Sequence, residues 1–162
     1  MSVNRLAPHL LILPEDDANR QLANGFLRNP SLNLRAVAAL PYSGGWAKVC
    51  NDFVTTYVPI LRKYPLGHIV LLIDFDNKVE ERLRYFRERF PEDLAGRVYL
   101  LGTLDEPEPL RVDRGISLEK IGAELSDACF DESWEHWSHE FLRHNESEVL
   151  RLVENVRPFL FR

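Results

Sequence analysis

The sequence predicts an α/β protein: a four-stranded parallel sheet flanked by helices, with a C-terminal helical extension. Three observations carry this expectation. Four short aliphatic runs, HLLIL (9–13), LNLRAVAAL (32–40), IVLLI (69–73) and RVYLL (97–101), alternate with segments of helical periodicity. The third run is apolar at every position and bounded by Gly67 and Asp74, as in a strand buried on both faces. A βαβαβαβ alternation closes most simply into a parallel sheet with right-handed crossovers. The doubly apolar first and third runs belong at the centre, giving the strand order 4-3-1-2 or its mirror listing.

The first strand ends at Pro14-Glu15-Asp16-Asp17, and a helix follows with Ala18, Leu22 and Phe26 four apart on one face. Asn29-Pro30 ends that segment. After the second strand, Pro41 to Gly45 forms a turn with two glycines. A helix then spans about Trp46 to Lys63, with Val49, Phe53 and Tyr57 inward and Pro59 kinking or shortening its last turn. The helix after the third strand buries Val79, Leu83, Phe86 and Phe90, and its arginines, Arg82 among them, read as a solvated face interleaved with glutamates. The fourth strand closes at Gly102-Thr103.

The chain reads as a single domain, with an α/β core over 9–103, an irregular Pro- and Glu-rich connector over 104–116 and a helical extension over 117–162 packed on the core. In the extension, Ser117 caps a helix with Leu118, Ile121 and Leu125 inward. A second helix carries Trp134, Trp137 and Phe141. A third runs from Ser147 to about Val156.

The length of 162 residues supports one proper core. A net charge of −5 argues against a surface that binds nucleic acid throughout, though not against a local basic patch. Cys50 and Cys129 match no metal-ligand spacing and read as reduced thiols. With neither a signal peptide nor a long apolar run, a cytoplasmic protein without a membrane span is expected.

The chemistry-bearing residues fall at the carboxyl ends of strands, where open α/β sheets place ligands. Asp74 and Asp76, two apart, share one side if the strand continues through them. Two adjacent carboxylates require a cation, a basic partner or a shared proton, and oxygen-only ligands suit Mg²⁺. The alternative is that Asp76 or Asn77 caps the next helix. Glu15, with Asp16 and Asp17 beside it, and Gly44-Gly45, with Lys48 three residues on, reach the same rim.

This order of a Glu after the first strand, glycines after the second and an Asp-x-Asp after the third resembles the Toprim fold. That fold occurs in type II and IA topoisomerases, bacterial primases and OLD-type nucleases, and the resemblance covers residues 9 to 103. It implies metal-assisted phosphoryl transfer on DNA or RNA, with Mg²⁺ or Mn²⁺ held by Asp74, Asp76 and Glu15. Glu15 would either be such a ligand or act as the general acid/base, and Gly44, Gly45 and Lys48 would meet a phosphate. The chain departs from the pattern in lacking Gly after Glu15. Whether Glu15 or Asp16 points into the site stays open. A module this small and acidic implies a partner, such as an ATPase, that holds the nucleic acid. The opening Leu11-to-Arg20 segment also resembles a response-regulator receiver domain, but no Lys-Pro pair follows a fifth strand. The second reading is therefore a non-catalytic regulatory or binding protein with a degraded Toprim or receiver-like acidic site.

The histidines His136, His139 and His144 cluster in sequence, but His139 and His144 stand five apart rather than the four that a helical zinc pair requires. They read as structural or interface residues, and the Trp/Phe stripe among them as core.

Overall fold

The computed structural model describes residues 2–162. The strands are β1 (His9–Pro14), β2 (Val37–Ala39), β3 (Gly67–Asp74) and β4 (Val98–Thr103). All pair in parallel in the order β2-β1-β3-β4, the mirror listing of the expected order. The helices are α1 (Asp17–Phe26), α2 (Trp46–Asp52), α3 (Val58–Lys63), α4 (Val79–Arg87), α5 (Pro107–Arg114), α6 (Leu118–Asp131) and α7 (Glu146–Leu160).

Strand alternation divides the core into two layers. Leu10, Ile12, Val70, Tyr99 and Leu101 face α1, α6 and α7 on one side. Leu11, Leu13, Ile69, Leu71, Ile73 and Leu100 face α2, α3 and α4 on the other. Helices thus cover both faces, which is why the central strands read as unbroken apolar runs. Among the described residues, no helix is long and apolar enough to cross a membrane.

Four local expectations are corrected. Only Val37–Ala39 of the second run pairs in the sheet, because Asn33 to Ala36 turns back on itself (Ala36 N–H to Asn33 O, 2.8 Å). Leu32 instead bridges antiparallel to Phe161. The Trp46–Lys63 helix is continuous but widens to a π-helical stretch over Phe53–Tyr57, directly before the proline that cannot donate an N–H. The connector over 104–116 is not irregular: α5 starts with Pro107 in its first turn and stops at Gly115 in the left-handed region (φ 67°). Proline at a helix start and glycine at its end favour a helix. Finally, Trp134 to Phe141 forms successive turns rather than a helix, with Ser138 N–H bonded to Trp134 O and Leu142 N–H to His139 O. Trp137 is nonetheless buried in the core.

Edge strand β4 is closed by side chains. Asn145 receives the Gly102 N–H at 3.1 Å and donates to the Gly102 carbonyl at 2.9 Å. Glu148 accepts from Leu100 N–H at 3.0 Å, and Arg151 donates to the Val98 carbonyl. These groups replace the fifth strand that an open edge would invite. Asn145→Ala leaves buried backbone groups of Gly102 with fewer partners and is expected to cost about 2 kcal/mol in urea unfolding. An unchanged midpoint would show that the seal is not structural.

Candidate functional site

Three carboxylates meet where β1 and β3 end. Oxygens of Glu15, Asp16 and Asp74 all lie within 4.8 Å of one another, and the cluster is able to hold a metal ion. Glu15 and Asp74 are buried, at 6% and 7% exposure. Local hydrogen bonding explains how each is placed.

The chain leaves the sheet at Glu15, whose N–H still bonds to Leu72 O at 2.9 Å. Its carbonyl turns away and accepts from the N–H groups of Gly44 (2.7 Å) and Gly45 (3.1 Å). In a continuing parallel ladder that carbonyl would take the Asp74 N–H. The Glu15 carboxylate substitutes for it, accepting from Asp74 N–H at 2.6 Å. Gly44 and Gly45 have φ of 101° and 154°, a region that a side chain strains. Their conformation aims both N–H groups inward, so they position Glu15 and are already bonded.

Asp16 is the N-cap of α1, accepting from Asn19 N–H at 3.0 Å. The Asn19 side-chain amide also donates to Asp16 (2.9 Å) and to Asp74 (2.8 Å), tying α1 to the end of β3. Asn19 is fully buried, and its Oδ1 has no hydrogen-bond partner. Asp17 points away, exposed and bonded to Arg20 (2.9 Å) and Gln21 (2.8 Å).

Asp76 stands apart from the three-carboxylate set. β3 ends at Asp74, and Asp76 and Asn77 both adopt left-handed conformations (φ 51° and 60°), so strand alternation does not extend to Asp76. Neither Asp76 nor Asn77 caps α4, whose N-cap position is Lys78. The Asp76 carboxylate instead pairs with Arg82 at 3.1 Å. Arg82 is buried rather than solvated, with its guanidinium 3.9 Å from the Trp46 ring centroid. Lys48 is exposed and folds over Gly44, its Nζ 3.7 Å from where a Cβ would sit.

Sequence reasoning passed over Asn19, Arg82 and Trp46. Asn19 lies three residues after Asp16, the spacing that a capping side chain reaches. Arg82 lies four before Phe86, beside the apolar stripe of α4.

Burial is the main reason the two inner acids bind protons tightly. It raises Glu15 to about 7, helped by the charges of Asp16 and Asp76 and opposed by the N–H groups of Asp74 and Trp46. Burial likewise raises Asp74 to about 8, with the Asn19 amide opposing and Glu15, Asp16 and Asp76 adding to the rise. Among the described residues no Lys, Arg or His is ion-paired with Glu15, Asp16 or Asp74. An all-oxygen set that lacks a basic partner could hold a metal ion.

These affinities fix a pH dependence. Glu15 and Asp74 have ordinary values of 4.5 and 3.8, below their values in the fold. The folded state therefore keeps protons that the unfolded state has lost, and stability falls as pH rises towards about 8. The buried histidines have the opposite sign. His68 is held down to about 4 by burial and then by Arg97, so its contribution grows with pH until 6.5 and then stays constant. His9 and His144 are lowered by burial in the same direction. Between 6.5 and about 8 the contribution of His68 is constant while those of the two acids fall. The melting temperature in chelator is expected to fall across that window; a flat profile would show that Glu15 and Asp74 carry ordinary acidities.

The remaining candidates do not converge. His139 pairs with Asp113 at 2.6 Å, His136 lies 3.4 Å from Glu124, and His144 bonds to the Gly102 carbonyl at 2.7 Å. An apolar cavity of about 70 Å³ between the sheet and the α1/α6 layer is lined by residues such as Leu10, Val70 and Trp137, and no acid faces it. Cys50 and Cys129 are both buried free thiols. Comparison of the sequence with protein-family models and with curated proteins finds no match to either.

Proposed function

We propose that this chain is a Mg²⁺- or Mn²⁺-dependent phosphoryl-transfer protein of Toprim type that acts on DNA or RNA, as a small nuclease or nuclease subunit. The observation that carries the reading is the convergence of Glu15, Asp16 and Asp74 within 4.8 Å at the carboxyl ends of the central strands, with Glu15 and Asp74 buried and no basic partner. Asp74, Asp16 and Glu15 would hold the cation. When bound, the cation orients a phosphodiester and offsets charge on its oxygens.

The chain's own residues supply the rest. Glu15, with its proton affinity raised to about 7, is suited to exchange a proton near neutral pH. Asn19 fixes two of the carboxylates through one amide nitrogen. Gly44-Gly45 holds Glu15 in place, and Lys48 above Gly44 offers a charge to an approaching phosphate. Phosphate contacts supply most nucleic-acid affinity. A chain of net charge −5 therefore gains its grip on the strand from a partner, for which an ATPase is the proposed class.

A second reading is a non-catalytic regulatory or binding protein with a degraded Toprim or receiver-like acidic site. It is favoured by the inward bonding of the Gly44 and Gly45 N–H groups, which leaves neither for a phosphate. Incubation of the protein with single- and double-stranded DNA and RNA, in Mg²⁺ or Mn²⁺, separates the two. Slow cleavage, lost in Glu15→Gln and in Asp74→Asn, is expected. Cleavage that survives both changes would contradict the assignment, and absence of both cleavage and cation binding would favour the second reading.

A further inference from the structure

The Asp76–Arg82 pair lies beside the cluster without belonging to it. Arg82 is 7% exposed, and its Nε is buried without a hydrogen-bond partner. Its one ion pair is a single contact, Nη2 to Asp76 Oδ2 at 3.1 Å, not the two-pronged fork that a guanidinium forms with a well-matched anion. The guanidinium carbon lies 3.9 Å from the Trp46 ring centroid, and Tyr85 packs edge-on against Trp46 at 4.9 Å. Trp46 in turn donates its backbone N–H towards Glu15. The cation is therefore fixed in place, held to its counter-ion by one contact.

Asp76 is the exposed half of the pair. Its side chain is 41% exposed, which screens the pair and weakens it. It stands on a turn of two left-handed residues, anchored by Asn77 N–H to Leu104 O at 2.7 Å. Its charge is felt by both Glu15 and Asp74, so the carboxylate is close enough to act on the cluster. Leaving a buried guanidinium without an anion is costly. A phosphate can replace Asp76 with better geometry, and Asp76 is then free to turn towards the metal ligands.

Resting on the metal reading above, we propose that Arg82 and Asp76 form an exchangeable ion pair that couples phosphate binding to cation binding. The phosphate of the substrate takes the Arg82 guanidinium, and the released Asp76 carboxylate joins Glu15, Asp16 and Asp74 around the cation. The full metal site assembles only with phosphate present. This keeps an acidic site that binds cations weakly on its own from being completed before substrate arrives.

Calorimetric titration of Mg²⁺ into the full chain tests this, with and without two probes: inorganic phosphate, and a short thymidine oligonucleotide lacking terminal phosphates. In the wild type a saturating probe is expected to lower the apparent Kd for Mg²⁺ by about fivefold or more, with Mg²⁺ tightening the probe reciprocally. A response to inorganic phosphate alone identifies a small phosphate ligand, and a response to the oligonucleotide identifies a phosphodiester. In Asp76→Asn the probe still binds but the coupling is gone. In Arg82→Met the probe is lost while Mg²⁺ binds more tightly without it. Arg82→Lys, which keeps the charge but cannot form a fork with a phosphate, shows the same pattern in weaker form. Coupling that persists in Asp76→Asn, or a wild-type Mg²⁺ affinity indifferent to both probes, overturns the proposal. Absence of Mg²⁺ binding in every variant would instead remove the metal reading on which it rests.

Discussion

Replacing Asp74 by Asn is expected to stabilise the cation-free protein at pH 8 and to abolish its response to Mg²⁺. Asp74 is buried among Glu15, Asp16 and Asp76, and its carboxyl is pushed up to about 8 by burial first and then by those charges. Ionising it in the fold therefore costs free energy that the unfolded chain does not bear, about 1.4 kcal/mol for each pKa unit. Asn has the same shape and keeps an acceptor for the Asn19 amide, so the change removes charge without opening a void. A gain of about 1–3 kcal/mol follows, because the remaining acids relax as well and part of the penalty is shared among them. For a chain of this size that is a rise of about 2–4 °C in Tm per kcal/mol. The same variant should show a shallower decline in Tm between pH 6.5 and 8, the part that remains belonging to Glu15. Destabilisation by more than about 2 kcal/mol would mark Asp74 as a structural partner in place of a strained acid.

The second large effect lies at the crossing of α1 and α6. A Cβ on Gly122 would sit 2.1 Å from the Leu22 carbonyl oxygen, and one on Gly25 would sit 1.9 Å from the Glu119 carbonyl oxygen. Backbone meets backbone at both points, and no side chain is available to rotate away. Gly122→Ala must separate the helices, which is expected to cost about 3 kcal/mol or more by urea unfolding. Because α1 carries Asp16 at its cap and Asn19 in its first turn, the same change should weaken the Mg²⁺ response in whatever fraction stays folded. Gly96→Ala is the control, since nothing lies within 4 Å of its added methyl group. Equal stability of the two variants would show that the close crossing is not enforced.

The strands that build the sheet were legible because their burial on two faces leaves little choice of residue. HLLIL and IVLLI read as central strands, and they occupy β1 and β3. The meeting of Glu15 with Asp74 followed from sheet topology alone. Which acid joins them did not. The choice between Asp16 and Asp76 turns on where β3 stops and on two left-handed residues after it, and backbone handedness at Asp and Asn leaves no periodic trace.

Helix α5 was hidden by its prolines. Pro107 occupies the one helical turn that tolerates it, and Pro109 follows within the same turn. Conversely, Trp134, Trp137 and Phe141 have helical spacing, yet single turns place Trp137 in the core equally well. The burial of Arg82 was illegible because a long cation on an amphipathic helix normally reaches water. Here Trp46, from a different helix, covers it. Contacts between distant segments, such as the glycine crossing of α1 and α6, have no signature in either segment alone.

Binding of a divalent cation by Glu15, Asp16 and Asp74 is the claim on which the functional reading depends, and Mn²⁺ electron paramagnetic resonance tests it most directly. At pH 8, titration of the wild-type chain should remove the free-ion signal with a single site saturating in the millimolar range or below. Glu15→Gln and Asp74→Asn should leave that signal at full strength. A wild-type chain that leaves it untouched at millimolar Mn²⁺, or variants that bind as the wild type does, would contradict the account.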